Sequence, residues 1–284
     1  MFELFGGEIE KIRLQKLLFL FTKLQSKSEY DFVPYKFGCF SYSANADLTT
    51  IVRQVTLTES ESAFKTTKNG KFLSTLKEQD RKQLAEVKRL YGNMTSEQLM
   101  KHTYVNYPYY ATKSIKAKSI LTKAELAKVD ASRAFSNETV LFTIGYEGIS
   151  LEEYLNRLLR NDVKVLVDVR NNPLSMKYGF SKSQLQKFCD NLGILYIHIP
   201  EVGIRSEKRQ ELNTQTDYDK LFVAYRKSNL AKTGEQQQQI LKLLVTHKRI
   251  AMTCFEANIC QCHRKPLADA IERLDGFKYS VKHI

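Results

Sequence analysis

Three thiols, a carboxylate, an imidazole and a guanidinium fall within eleven residues: Cys254, Glu256, Cys260, Cys262, His263 and Arg264. Each type does chemistry that an ordinary surface loop does not need. A thiolate attacks electrophiles or binds a soft metal, a carboxylate or imidazole moves protons, and a guanidinium pairs with phosphate. A short apolar run, Ile250 to Met252, precedes the cluster, and an apolar-periodic run starts at Leu267. That pattern predicts a buried strand, a reactive loop and a helix.

The elements that must position these residues read as an α/β domain over residues 137–284. Strands are expected at Val140 to Ile144, Val163 to Val169, Ile194 to Ile199, Ile250 to Cys254 and Tyr279 to Ile284. Helices are expected after Ser150, from Phe180 to Leu192, from Asp217 to Lys227, from Glu235 to Val245 and from Pro266 to Leu274. This alternation predicts a mainly parallel sheet with helices on both faces. In such a sheet the functional crevice lies beyond the carboxyl ends of the strands. Gly145-Tyr146-Glu147-Gly148, Asp168-Val-Arg170-Asn171, Pro200-Glu201 and the Cys254 cluster should then face one cleft.

Three chemistries compete for that cleft. In the first, Arg170, Arg264 and Lys177 bind phosphate, Tyr146 or Tyr178 stacks on a base, and Asp168 or Glu256 moves protons. Glu147, Asn171, Glu201, Cys262 and His263 complete the binding set. In the second, Cys254 is a nucleophile for sulfur or phosphoryl transfer, its thiolate stabilised by His263 or Arg264. In the third, Cys254, Cys260, Cys262 and His263 hold zinc. Cys-x-Cys-His sets three donors almost adjacent, whereas structural zinc sites space their pairs, so the sequence assigns no metal or other cofactor. His198 alternates within a strand and reads as a core histidine. No phosphate-binding loop, dinucleotide fingerprint or His-Glu-x-x-His motif is present.

Thr143-Ile-Gly-Tyr-Glu-Gly, Leu166-Val-Asp-Val-Arg-Asn-Asn-Pro-Leu-Ser, His198-Ile-Pro-Glu-Val-Gly and Cys254-Phe-Glu256 followed by Cys262-His263-Arg264 occur in that order. Together they resemble the family called domain of unknown function 488. The family lacks an assigned reaction, but its members resemble DNA-modification and defence systems in context. The resemblance therefore implies nucleic-acid-related work, and Cys260 stands outside its pattern.

Residues 1–136 read as a smaller, mostly helical or winged binding domain, because amphipathic runs start at Ile9, Asp47, Glu78 and Ser96. Residues 30–43, rich in aromatics, read as an extended loop, and Lys68-Asn69-Gly70-Lys71 reads as a hairpin turn within a wing. The lysine-rich stretch 114–137 reads as one basic helix leading to a linker. Leu14-Gln15-Lys16-Leu17-Leu18-Phe19, the Tyr35 to Tyr42 segment, Tyr91-Gly92 and Tyr107-Pro108-Tyr109 resemble the Panacea or SocA-like domains that accompany toxin–antitoxin and defence proteins. That resemblance implies a module that binds a partner or nucleic acid.

The whole chain of 284 residues carries 44 basic and 31 acidic side chains, a net charge of +13 spread over both halves. Such a balance favours polyanions, so nucleic acid, DNA before RNA, or a nucleotide is the expected partner. The acidic N-terminus and the lack of a long apolar run predict a cytoplasmic protein with no membrane partner. Five cysteines, two of them solitary (Cys39 and Cys189), point to reduced thiols. A homodimer is compatible with all of this. The sequence supports an enzyme of base or nucleotide processing, with a non-catalytic antitoxin-like regulator as the alternative.

Overall fold

The computed structural model describes residues 1–67, 71–205, 207 and 212–284. They form two compact units, Met1–Arg133 and Ala134–Ile284.

In the first unit, β1 (Glu8–Glu10) leads into α1 (Lys11–Thr22), and β2 (Val33–Tyr35) pairs antiparallel with β3 (Gly38–Phe40). Then come α2 (Tyr42–Arg53), β4 (Leu57–Glu59), β5 (Ala63–Thr66), α3 (Glu78–Tyr91), α4 (Ser96–Asn106), α5 (Ala117–Ile120) and α6 (Lys123–Ala131). A three-stranded antiparallel sheet has the order β1-β5-β4. The core gathers Leu14, Leu17 and Phe19 of α1 with Phe32, Cys39, Phe64, Val87 and Leu99.

Two expectations for this unit are corrected, and a third is not reached. Residues 30–43 contain a short hairpin, because Gly38, at φ 91°, lets the chain reverse between Tyr35 and Phe40. The stretch 114–137 is not one helix. Thr122 accepts a bond from the Glu125 amide while Glu125 reaches back to the Thr122 amide, and this capping box starts α6 afresh after an extended Leu121. The Asn69-Gly70 turn lies outside the described residues. β5 pairs antiparallel with β4 and with the N-terminal β1.

The Gln15-Lys16 pair of the Leu-Gln-Lys-Leu-Leu run has a structural role. Gln15 accepts from the Ser41 amide at 2.9 Å and donates to the Ser41 carbonyl at 3.4 Å. Lys16, fully buried, donates Nζ to the Cys39 carbonyl at 2.8 Å. Two adjacent polar side chains thus satisfy the backbone that runs from β3 into α2.

The second unit is an α/β domain with β6 (Val140–Gly145), α7 (Leu151–Arg160), β7 (Val165–Asp168), α8 (Lys182–Asn191), β8 (Leu195–His198), α9 (Gln215–Ser228), α10 (Gly234–His247), β9 (Arg249–Cys254), α11 (Arg264–Glu272) and β10 (Ser280–His283). The five strands are parallel in the order β10-β6-β9-β7-β8. Every residue of β6, β7 and β9 is buried, as a sheet covered on both faces requires.

Alternation along the strands assigns the faces. Leu141, Val165, Val167, Ile250 and Met252 form one core with Phe222 and Tyr225 of α9, Ile240 and Leu244 of α10, and Leu267 and Ile271 of α11. The intervening residues face α7, where the Tyr154 hydroxyl donates to Thr253 Oγ1 at 2.8 Å. Right-handed crossovers explain the division: the chain moves one way from β6 through β7 to β8, then reverses to reach β9 and β10. The reversal sends the connection after β9 to the opposite face from the connections after its neighbours β6 and β7. The carboxyl end of β9, where Cys254 lies, is therefore a topological switch point.

Candidate functional site

Two clusters, not one, occupy the carboxyl edge of the sheet. The expected single cleft is divided because Asp168 and Cys254 belong to opposite alternation sets. Asp168 pairs in register with Thr253, on the α7 side, while Cys254 continues the row of Ile250 and Met252 toward α11.

The first cluster is a closed ion-pair network. Asp168 is fully buried and accepts from Arg170 Nε at 2.8 Å, Arg170 Nη2 at 2.5 Å, the Arg170 amide at 3.1 Å and the Tyr196 hydroxyl at 2.5 Å. Arg170 also donates Nη1 to the Tyr146 hydroxyl and to the Phe180 carbonyl, both at 2.8 Å. The Tyr146 ring stacks on Phe180, 4.2 Å between centroids and 10° from parallel. Burial and the Asp168 charge push the Tyr196 hydroxyl far up. Although burial opposes its charge, Arg170 stays protonated because Asp168 holds it. Asp168, Arg170 and Tyr146, one candidate each for moving protons, binding phosphate and stacking on a base, are thus bonded to one another.

The second cluster is built from Cys254, Glu256, Cys262, His263 and Arg264. The sulfur of Cys254 lies 3.2 Å from Glu256 Oε2 and 3.6 Å from His263 Nδ1. His263 Nε2 lies 3.0 Å from the Val169 carbonyl. A carbonyl only accepts, so the proton sits on Nε2 and the Nδ1 lone pair faces the cysteines. Arg264 donates Nε to Cys262 Sγ at 3.0 Å and Nη2 to the Glu256 carbonyl at 2.5 Å. Burial raises the Cys262 thiol well above its ordinary range, and Arg264 works against that rise. Cys254, Cys262, His263 and Arg264 are all buried, whereas Glu256 is partly exposed.

Local sequence explains the placement. Pro266 is the third residue of α11, where its fixed φ suits the first helical turn and its missing N–H goes unneeded. Gly145 sits beside Cys254 in register, and a Cβ there would overlap the Glu256 carbonyl oxygen and crowd Arg264 Nη2. The amides of Tyr146 and Glu147 donate to the Phe255 carbonyl at 3.0 and 2.9 Å, and Glu147 accepts from the Ala257 amide at 3.0 Å. The Gly145-Tyr-Glu-Gly segment is therefore the clamp that shapes the Cys254 turn.

The remaining expected residues lie around these clusters. Lys177 donates to the Tyr146 carbonyl at 2.7 Å, and desolvation lowers its pKa. Asn171 donates to the Pro200 carbonyl at 3.2 Å. Tyr178 is exposed beside Phe188, Glu201 is exposed, and Cys260 is exposed and outside the cluster. Sequence reasoning missed Tyr196, Phe180 and the Val169 carbonyl. Tyr196 was readable as a polar-tipped residue in a strand, but its partner depends on the strand order.

Residues 150–271 match the domain of unknown function DUF488. The DUF488 segment runs from the cap of α7 to α11 and contains Asp168, Arg170, Cys254, Glu256, Cys262, His263 and Arg264. The Gly145-Tyr-Glu-Gly clamp lies just before it. No curated protein and no solved structure matches the chain.

Proposed function

We propose that this protein is a nucleic-acid- or nucleotide-directed enzyme of base or nucleotide processing, and that its reaction centre is the Cys254, Glu256, Cys262 and His263 cluster. One observation carries the reading: an oriented imidazole, two thiols and a partly exposed carboxylate converge at the switch point of the five-stranded sheet. Glu256 is the group for proton transfer, since it combines exposure with contact to the buried cluster. Asp168 and Arg170 brace the neighbouring strand end and leave the catalytic set.

The partner class is supported by the net charge of +13. With Arg170 and Arg264 engaged internally, phosphate contacts fall to exposed cations at the starts of helices on this edge, such as Lys182 and Lys265. The test is incubation of the full chain with DNA, RNA and nucleotides, normal and base-modified, and product analysis by mass spectrometry. Glu256→Gln should retain substrate binding and lose turnover. Binding without turnover by wild type would favour the antitoxin-like regulator, and equal turnover by Glu256→Gln would sink the assignment.

The 3.6 Å hydrogen bond between Cys254 Sγ and His263 Nδ1 favours a second reading, thiol catalysis. That reading requires Cys254 to be alkylated selectively, with loss of activity, while Cys262 stays unmodified.

A further inference from the structure

We propose that Cys254, Cys262 and His263 bind a zinc ion, with Glu256 beside the open fourth position. The proposal rests on the reaction centre named above and supplies its cofactor, in place of the bare thiol nucleophile.

Geometry is the first support. One ligand atom from each of the four residues lies within 4.8 Å of every other. Bonds of about 2.0 to 2.3 Å in a tetrahedron separate neighbouring ligand atoms by roughly 3.3 to 3.8 Å. The two separations at Cys254, 3.2 Å to Glu256 and 3.6 Å to His263, are close to that range. Donor atoms this close to one another can converge on a single ion.

The surrounding shell is the second support. His263 is held by the Val169 carbonyl in the tautomer that presents Nδ1, as metal-binding histidines are. Arg264 donates to the Cys262 sulfur and to the Glu256 carbonyl, which favours a thiolate and fixes the turn. The ligands come from stiff elements, the end of central β9 and the start of α11. Two sulfurs and an imidazole select zinc over magnesium or calcium.

The structure also removes the spacing objection raised by the sequence. Cys260 is exposed and not part of the set, so Cys-x-Cys-His contributes only Cys262 and His263. Three buried ligands beside one partly exposed carboxylate match the way catalytic zinc sites keep a position open. Zinc on two thiolates and an imidazole next to a non-ligating glutamate is also the arrangement that activates water against nucleobases.

The experiment is metal analysis of the full chain purified under reducing conditions without chelator, followed by stripping and titration with cobalt(II). One zinc per chain and a sulfur-to-cobalt charge-transfer band are expected. Cys262→Ser and His263→Ala should weaken zinc binding by more than about tenfold, Glu256→Gln should keep the metal, and Cys260→Ser should match wild type. Because the Cys262 and His263 variants risk misfolding, chelator competition on wild type and Glu256→Gln gives the affinity without them. Wild type that is isolated without zinc and gives no charge-transfer band when cobalt(II) is added would overturn the site, as would loss of the band in Cys260→Ser with retention in Cys262→Ser. Zinc bound without any turnover would leave the site standing and remove the enzymatic reading, and turnover by metal-free protein would do the reverse.

Discussion

At the scale of single residues, the decisive fact is which polar groups are already used. Asp168 receives four donors and sits on a charge it neutralises, so its removal is a stability experiment. Asp168→Asn leaves the buried Arg170 cation without its counter-charge and should cost about 3 to 5 kcal/mol. Tyr196→Phe removes one hydroxyl donor to a carboxylate and should cost about 1.5 to 3 kcal/mol. Urea denaturation of the full chain checks both, and a loss of activity in Asp168→Asn with unchanged stability would restore Asp168 to the reaction. Lys16 offers a test with a pH signature. Burial lowers its pKa, opposed by Cys39, so the unfolded chain binds the extra proton between the lowered value and about 10.4. Stability from this group therefore rises with pH through that window. Lys16→Met should gain most relative to wild type at the acid end, and the gain should shrink as pH rises. Cys39, whose thiol burial pushes up, contributes in the opposite sense above about pH 8.5 in both proteins. Denaturation midpoints across pH give the comparison.

Elements decide how close those residues come. The turn after β9 is pressed between β6 and α11, and Gly145 exists because no Cβ fits against the Glu256 carbonyl. Gly145→Ala should destabilise the fold by about 1 to 3 kcal/mol through overpacking and should weaken metal retention by displacing Glu256 and Arg264. Gly148→Ala is the matched control. Its φ of 75° makes any side chain strained, by about 1 to 2 kcal/mol, but nothing stands in its way, so the metal should stay. Chelator competition on both variants separates crowding from backbone strain. The same scale explains which expectations failed. Residues 114–137 carry a lysine-rich helical composition throughout, yet one threonine three residues before a glutamate restarts the helix. Composition averages over such a stretch, whereas a capping box acts at one amide.

For the whole molecule, the net charge of +13 is the property that reaches furthest beyond any pocket. Affinity for DNA should fall linearly in log–log form with salt, with a slope of about −0.9 for each phosphate contacted on a duplex. Filter binding or fluorescence anisotropy across a salt series measures it. A slope near zero would remove nucleic acid and leave a small nucleotide as the substrate class. Among the described residues no helix is long and apolar enough to cross a membrane.

The order of strands and helices over 137–284 was legible because the apolar runs are short, rich in β-branched residues and bounded by caps and glycines, all local signals. So were the residues of the Cys254 loop, since their chemistry is unusual for any loop. The strand order was not legible. Placing β9 between β6 and β7 sets Cys254 at the switch point, and the twofold alternation then parts it from Asp168. Sequence alone could therefore name the candidates but not divide them into a spent ion-pair network and a convergent thiol, imidazole and carboxylate set. Pairing and register are choices between segments far apart in the chain, and no local pattern carries them.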